Sequence, residues 1–339
     1  MERLYPWQHE PWQRWAGLRL RLPHAILLKG PQGIGKLDFA LTLAQSLLCE
    51  TAQADGMPCG TCPSCHWFSQ ETHPDFRLLQ PDAMAEGEEG DEREAGKKKP
   101  SRQISVEQVR SLADFANLSA HQGGHRVVLI HPAETMNISA ANALLKTLEE
   151  PGGKMILILV SHKPQQLLPT ILSRCVELSM PMPPQEQSRA WLKQQGISNP
   201  ATLLAQAGFA PLTAAKLAEE GAGTEEYARF LQEISQPAQF DALALAEQLQ
   251  KTDPAQVIHW LQQWCYDLGS AKQTGQIRYH PELGERISSL SGKVTSLSLS
   301  NFQKELLSAR REAWHPLNPK LLFESLFLAY RQMMLEKTA

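Results

Sequence analysis

A glycine-rich turn, Gly30-Pro-Gln-Gly-Ile-Gly-Lys36, follows the apolar run Ala25-Ile-Leu-Leu28 and precedes a stretch of helical spacing from Leu37 to Leu48. Strand, turn and helix in that order match the phosphate loop, G-x-x-x-x-G-K-[ST], whose backbone N–H groups and helix N-terminus cradle phosphate oxygens. Few architectures accept such a loop. It calls for an α/β domain with a parallel sheet. Just after that helix, four cysteines fall within seventeen residues: Cys49, Cys59, Cys62 and Cys65. A phosphate-loop domain carrying a cysteine knot is a narrow class.

The surrounding pattern agrees with an α/β domain. Val127-Val-Leu-Ile130 and Met155-Ile-Leu-Ile-Leu-Val160 are two more buried-strand candidates. Ala140 to Glu150 reads as a helix, with Ala141, Leu144, Leu145 and Leu148 on one face and Pro151 marking its end. Between Asp82 and Gln103 the chain is rich in Glu, Gly and Lys and has almost no large apolar residue, which predicts a flexible inserted loop. Pro181-Met-Pro-Pro184 predicts a linker. Beyond it the composition shifts to Ala, Leu and Gln, predicting two helical units, 185–224 and 225–339, broken near Glu220-Gly-Ala-Gly-Thr224. Asn318 as N-cap with Pro319 at the first helical position marks the start of a last helix. Its stripe of Leu322, Leu326 and Met333, with Phe323, Phe327 and Tyr330 alongside, reads as core or subunit packing.

Two positions of the phosphate loop are altered. Gly30, Gly33, Gly35 and Lys36 suit a loop that embraces phosphate, with Lys36 reaching the β- and γ-phosphates. The Ser or Thr that would hold Mg²⁺ is Leu37. After the strand ending at Ile130, a hydrolase of this class presents Asp and then Glu; this chain has His131-Pro-Ala-Glu134. Both losses fall on one metal ion, the ion that neutralises the charge developing in hydrolysis. The expectation is a phosphate-loop fold whose hydrolysis has decayed, with binding of ATP or ADP weak or absent.

The cysteine spacing, C-x9-C-x2-C-x2-C, suits four thiolates around a tetrahedral, structural zinc. Three alternatives stay open. Cys62-Pro-Ser-Cys65-His66 matches a c-type haem attachment but leaves two cysteines idle. An iron–sulfur cluster uses the same triplet with a fourth ligand downstream. Free buried thiols are the third. Cys265 is isolated and expected in a core.

With 339 residues and 42% apolar composition the chain can build two or three cores. No apolar run approaches the eighteen residues of a membrane span, and the opening Met1-Glu-Arg-Leu-Tyr-Pro-Trp7 lacks the apolar centre of a signal peptide. A cytoplasmic protein with reduced cysteines is expected. The net charge of −3 is low for a protein that holds DNA alone.

His24-Ala-Ile-Leu-Leu, the glycine-rich loop, the four cysteines, Thr72-His-Pro-Asp75, Ala141-Asn-Ala-Leu-Leu-Lys-Thr-Leu-Glu-Glu-Pro151 and Ile171-Leu-Ser-Arg-Cys175 occur in that order. This series resembles the clamp-loader subunits of bacterial DNA polymerase III, within the AAA+ superfamily. The motif resemblance covers roughly residues 5–225; beyond that it rests on composition.

The resemblance implies an AAA+ domain over 1–180 with a zinc module at 49–65 and a flexible loop at 82–103. A helical lid over 181–224 and an all-α collar for oligomerisation over 225–339 would follow. It implies a hetero-pentameric ring with motor (gamma/tau) and delta subunits, acting on the sliding clamp and primed DNA. Arg174, in the Ser-Arg-Cys motif, would be an arginine finger acting in trans on ATP held by a neighbouring motor subunit. Leu37, His131, the opening Tyr5-Pro-Trp7, a chain ending at 339 and the lack of Arg around Gly208-Phe-Ala-Pro211 favour the rigid, non-hydrolysing ring member over the gamma/tau-type motor. Lys146 would lie on the Ala140–Glu150 helix, as a contact to the ring interior or as part of a solvated face. A third alternative, a zinc-dependent nucleic-acid-binding module, is disfavoured because Cys49 to Cys65 contains no basic residue.

Overall fold

A computed structural model of the chain describes residues 4–85, 100–117, 124–220, 224–312 and 318–335. The chain divides into two compact units, Met1–Gln187 and Ser188–Ala339.

The first unit opens with a short 3-10 turn, Pro6–Gln8, followed by α1 (His9–Leu18), and continues through β1 (Ala25–Lys29), α2 (Lys36–Leu48), α3 (Pro63–Ser69), β2 (Phe76–Leu79) and a single helical turn, α4 (Asp82–Ala85). After α5 (Val106–Asn117) come β3 (Arg126–Ile130), α6 (Ile138–Glu149), β4 (Met155–Ser161), α7 (Pro169–Leu172) and β5 (Val176–Ser179). The five strands form one sheet in the order β2-β3-β4-β1-β5, every pairing parallel.

Sheet position follows sequence. β3 and β4 are buried along their whole length and β1 along all but Lys29, so they read as continuous apolar runs, as strands covered on both faces must. Successive residues alternate between two cores. Ile26, Leu28, Val127, Leu129, Ile156 and Ile158 pack with α1 and α2, through residues such as Trp15 and Phe39. Leu27, Val128, Ile130, Leu157 and Leu159 pack with α5 and α6, including Leu112 and Leu144. The edge strands β2 and β5 are four residues each and carry the exposed Arg77 and Glu177, so neither shows the apolar run that marks the others. Both are additions to the strands legible in the sequence.

Helix α6 begins two residues before the expected Ala140, because Asn137 caps it: the Asn137 side-chain oxygen accepts from the Ala140 N–H at 2.8 Å. The predicted flexible loop at 82–103 falls largely on residues 86–99, outside the described residues. Of its ends, Asp82–Ala85 is helical, a correction to a loop over the whole stretch. The Ala83 N–H donates to the Ser101 carbonyl at 3.0 Å, so the two ends of the insertion meet.

The boundary between the units falls in α8 (Gln185–Gln194), and the second unit continues as helices: α9 (Pro200–Gln206), α10 (Pro211–Glu220), α11 (Thr224–Ile234), α12 (Ala242–Leu249), α13 (Pro254–Thr274), α14 (Gly284–Ser291), α15 (Ser296–Glu312) and α16 (Pro319–Leu335). Asp241, Asp253 and Asn318 cap α12, α13 and α16 through their side-chain oxygens. The stripe on α16 is core: Phe323, Leu326, Phe327, Tyr330 and Met333 are buried with Trp264 and Cys265, and Leu322 is half-buried beside them. The Trp264 indole N–H donates to the Tyr330 hydroxyl at 2.9 Å, which donates to the Ile234 carbonyl at 2.8 Å, so both buried polar groups are satisfied. Among the described residues no helix is long and apolar enough to cross a membrane.

Candidate functional site

The glycine-rich turn joins β1 to α2 as the sequence predicts, and two of its glycines are forced. A Cβ on Gly30 would lie 2.0 Å from the Met180 carbonyl oxygen. Gly35, the residue before α2, has φ +81°, and a Cβ there would lie 2.5 Å from the Tyr5 ring. Lys36 is buried, and its Nζ donates to the carbonyls of Gly30 (2.8 Å) and Pro31, two residues of its own loop. Burial pulls the Lys36 ammonium down to about 8, with the Glu134 carboxylate pulling the other way.

Sequence reasoning missed what lies on top of this loop. The Trp7 indole N–H donates to the Ile34 carbonyl at 2.9 Å, and the Gln8 side-chain amide to the Gly35 carbonyl at 2.7 Å. Tyr5 stacks on Trp7 with ring centroids 5.2 Å apart. Burial and the Asp38 carboxylate push the Tyr5 hydroxyl up to about 12. The segment 5–8 thus straps the loop down from outside.

His131 stands at the end of β3. It is buried, edge-on to His162 with ring centroids 5.4 Å apart. Burial and then the His162 ring pull His131 down to about 4; burial and then the Lys36 charge do the same to His162. Both rings are therefore neutral at neutral pH. Glu134 accepts the His162 backbone N–H at 3.0 Å through Oε1, while Glu134 Oε2, His131 Nδ1 and His162 Nδ1 are buried without a hydrogen-bond partner. Leu37 is half-buried against the sheet core. His162 carries no motif that the sequence alone would single out.

The four cysteines converge. Their Sγ atoms all lie within 4.8 Å of one another, and they could hold one metal ion. Cys49 and Cys62 sulfurs are 3.9 Å apart, and those of Cys59 and Cys65 are 4.0 Å apart. Backbone N–H groups turn toward the sulfurs: Cys59 toward Cys49, Thr61 and Cys62 toward Cys59, Gly60 toward Cys65, and Cys65 toward Cys62, at 3.3–3.4 Å. The hydrogen bonds to Cys59, from Thr51 and from the Thr61 and Cys62 N–H groups, pull its thiol down to about 5. Burial pushes Cys49 and Cys65 up. Cys49 follows the last residue of α2, so the knot sits at the opposite end of that helix from the phosphate loop. Beneath it the Asp75 N–H donates to His73 Nδ1 at 3.1 Å. This places the His73 proton on Nε2, 2.8 Å from the Ser64 hydroxyl, which in turn donates to the Leu48 carbonyl at 2.6 Å. The Thr72-His-Pro-Asp75 motif therefore ties the knot to the end of α2.

Arg174, half-buried, follows α7 and is bonded to residues outside these groups. Its Nη2 pairs with Glu149 Oε1 at 2.6 Å and its Nη1 donates to the Thr170 carbonyl at 2.9 Å. Lys146 is exposed on α6.

Comparison with known proteins identifies the family of the chain. A family model described as DNA polymerase III, delta subunit, matches residues 17–184, and one for the C-terminal part of the delta subunit matches residues 223–332. DNA polymerase III subunit delta′ of Pseudomonas aeruginosa is 36% identical over 353 aligned positions, 98% of this chain and 99% of the relative. The delta′ subunit of Haemophilus influenzae is 31% identical, over 85% and 84%. DNA polymerase III subunit tau of Escherichia coli is 34% identical, over 52% of this chain and 25% of its own length. With a delta′ relative aligned along nearly its whole length, the chain belongs to the delta prime (delta′) subunit family of DNA polymerase III.

Proposed function

We propose that this clamp-loader subunit of DNA polymerase III is a rigid, non-hydrolysing member of a five-membered ring with gamma/tau motor subunits and a delta subunit. That ring loads the sliding clamp onto primed DNA. Residues 1–180 form the AAA+-type domain, 181–224 the lid and 225–339 the collar that joins the ring. Arg174 supplies an arginine finger in trans to the ATP of a neighbouring motor subunit.

The observation that carries the reading is His131. A buried, neutral imidazole packed on His162 occupies the strand end where a hydrolase holds Mg²⁺ through a carboxylate. Leu37 removes the hydroxyl ligand as well. Without the cation, nothing offsets the charge that develops on a transferring phosphoryl group. Lys36, bonded to its own loop, and the strap over Gly35 further support binding of ATP or ADP that is weak or absent.

The four cysteines would hold a structural zinc. A tetrahedral zinc with Zn–S of about 2.3 Å sets sulfurs about 3.8 Å apart. The Cys49–Cys62 and Cys59–Cys65 separations of 3.9 and 4.0 Å are close to that edge, and with all four sulfurs within 4.8 Å of one another a small inward shift closes the cage. With all four ligand places taken by sulfur, the ion would serve the fold.

The test is reconstitution. The chain is purified alone and with motor and delta subunits, and ATP turnover is measured with clamp and primed DNA. The isolated chain is expected to be inert, and the assembly to slow when this subunit is omitted. Turnover by the isolated chain would identify a gamma/tau-type motor instead.

A further inference from the structure

The geometry points to Glu149 as the residue that positions Arg174, an inference that rests on the reading of Arg174 as a finger. The Arg174 side chain is 34% exposed, yet its guanidinium is held from two directions. Nη2 donates to Glu149 Oε1 at 2.6 Å, across 25 residues of sequence. Nη1 donates to the Thr170 carbonyl at 2.9 Å and lies 3.4 Å from the Ser173 hydroxyl. A carboxylate on α6 and a carbonyl on α7 together fix the plane of the group as well as its place. A guanidinium carries five N–H donors in a rigid fork. These contacts use only part of that fork and leave the rest to meet a phosphate oxygen.

Glu149 suits this role because of what carries it. It ends α6, directly after the fully buried Leu148, on a helix capped by Asn137 and packed into the sheet core through Ala140, Ala141 and Leu144. The side chain itself is 52% exposed, and among the described residues Arg174 is its one bonded partner. Exposed ion pairs contribute little to stability, so Glu149 can be changed without loss of the fold. An arginine swinging on a long side chain must be ordered anew at each turnover. One already held in plane needs less, and the benefit appears in kcat. Glu149 touches neither nucleotide nor reacting atoms. Its effect passes through Arg174 alone.

The experiment uses the reconstituted ring in which the motor subunit adjoining this chain has the intact ATP site. ATP hydrolysis is measured with this chain as wild type, Arg174→Ala, Glu149→Ala, Glu149→Gln, Glu149→Asp and the Arg174→Ala, Glu149→Ala double variant. Glu149→Ala is expected to lower kcat about five- to tenfold with KM for ATP within about twofold, since orientation is lost and binding is not. Glu149→Asp should recover part of the loss and Glu149→Gln little. The double variant should match Arg174→Ala alone, because a residue acting only through its partner has nothing left to orient. If Arg174→Ala leaves turnover unchanged, the finger reading and the role of Glu149 fall together. If Arg174→Ala slows turnover while Glu149→Ala leaves it unchanged or raises it, Glu149 alone is overturned. The same holds if the double variant falls below Arg174→Ala. Failure of both Glu149→Ala and Glu149→Gln to enter the ring would make the residue structural and overturn the proposal likewise.

Discussion

The Gln8 side-chain amide donates to the Gly35 carbonyl at 2.7 Å, so a residue in the opening segment holds the tightest point of the phosphate loop. Gln8 is buried and also reaches the Ile34 carbonyl at 3.3 Å. Gln8→Ala should cost about 1–2 kcal/mol, the usual range for a buried hydrogen bond whose acceptors lose a donor. Gly35→Ala should cost more, about 2–4 kcal/mol, because it adds the strain of φ +81° to a collision with the Tyr5 ring. Urea denaturation of the two variants and the wild type gives the order; a Gln8→Ala midpoint equal to that of the wild type would show that the strap does not bear on the loop.

The purified protein should carry about one zinc per chain. Cys59→Ser should lower both metal content and thermal stability, since the binding energy of a structural site is folding energy. Elemental analysis finding iron with sulfide, or no metal, would remove the zinc assignment.

Stability should fall between about pH 6.5 and pH 4 through the histidine pair. His131 and His162 are pulled down to about 4 by burial, from an ordinary value of 6.5. In that window the unfolded chain binds protons that the folded chain refuses, so stability drops as pH falls and the loss levels off below the folded value. The two together should account for about 2–5 kcal/mol, since each tenfold change in proton affinity is worth about 1.4 kcal/mol and relaxation around the rings recovers part of it. The measurement is the difference in unfolding free energy between pH 7 and pH 5, for wild type and for a His131→Asn, His162→Asn variant. An equal loss in both would dissociate the pair from acid sensitivity.

Leu37→Thr with His131→Asp should restore some Mg²⁺-dependent nucleotide binding and less turnover. The two ligands return, but Lys36 stays engaged with the Gly30 and Pro31 carbonyls and the strap stays in place. Adding Gln8→Ala to that pair should raise affinity further, by about tenfold for each 1.4 kcal/mol of loop restraint removed. Calorimetric titration with ATP and Mg²⁺ separates the variants.

The central strands, the phosphate turn, the cysteine cluster and the Asn318 cap were legible because each is written in contiguous residues. Ala25–Leu28 and Met155–Val160 are apolar without interruption, since both faces of the sheet are covered. β2 and β5 escaped notice because an edge strand needs only half that cover, and Arg77 and Glu177 break the run. The parts of the site that pass beyond motif are pairings across distance: Gln8 with Gly35, His131 with His162, Glu149 with Arg174. Nothing local in the chain announces them. Each depends on which strand ends and helix ends the sheet order brings side by side.

Helix α2 carries the phosphate loop before its first turn and Cys49 after its last, about 20 Å apart at 1.5 Å per residue. Helices ordinarily fray from their ends, where amide protons exchange with solvent first. Here neither end is free, one being strapped by Trp7 and Gln8 and the other tied by the Ser64 hydroxyl, which donates to the Leu48 carbonyl. The α2 amides should then open only when the whole unit opens, and if the four cysteines hold a zinc, a chelator that strips it should speed their exchange from the cysteine end first. The loop would thus keep its shape by being one terminus of a helix that is restrained at the other.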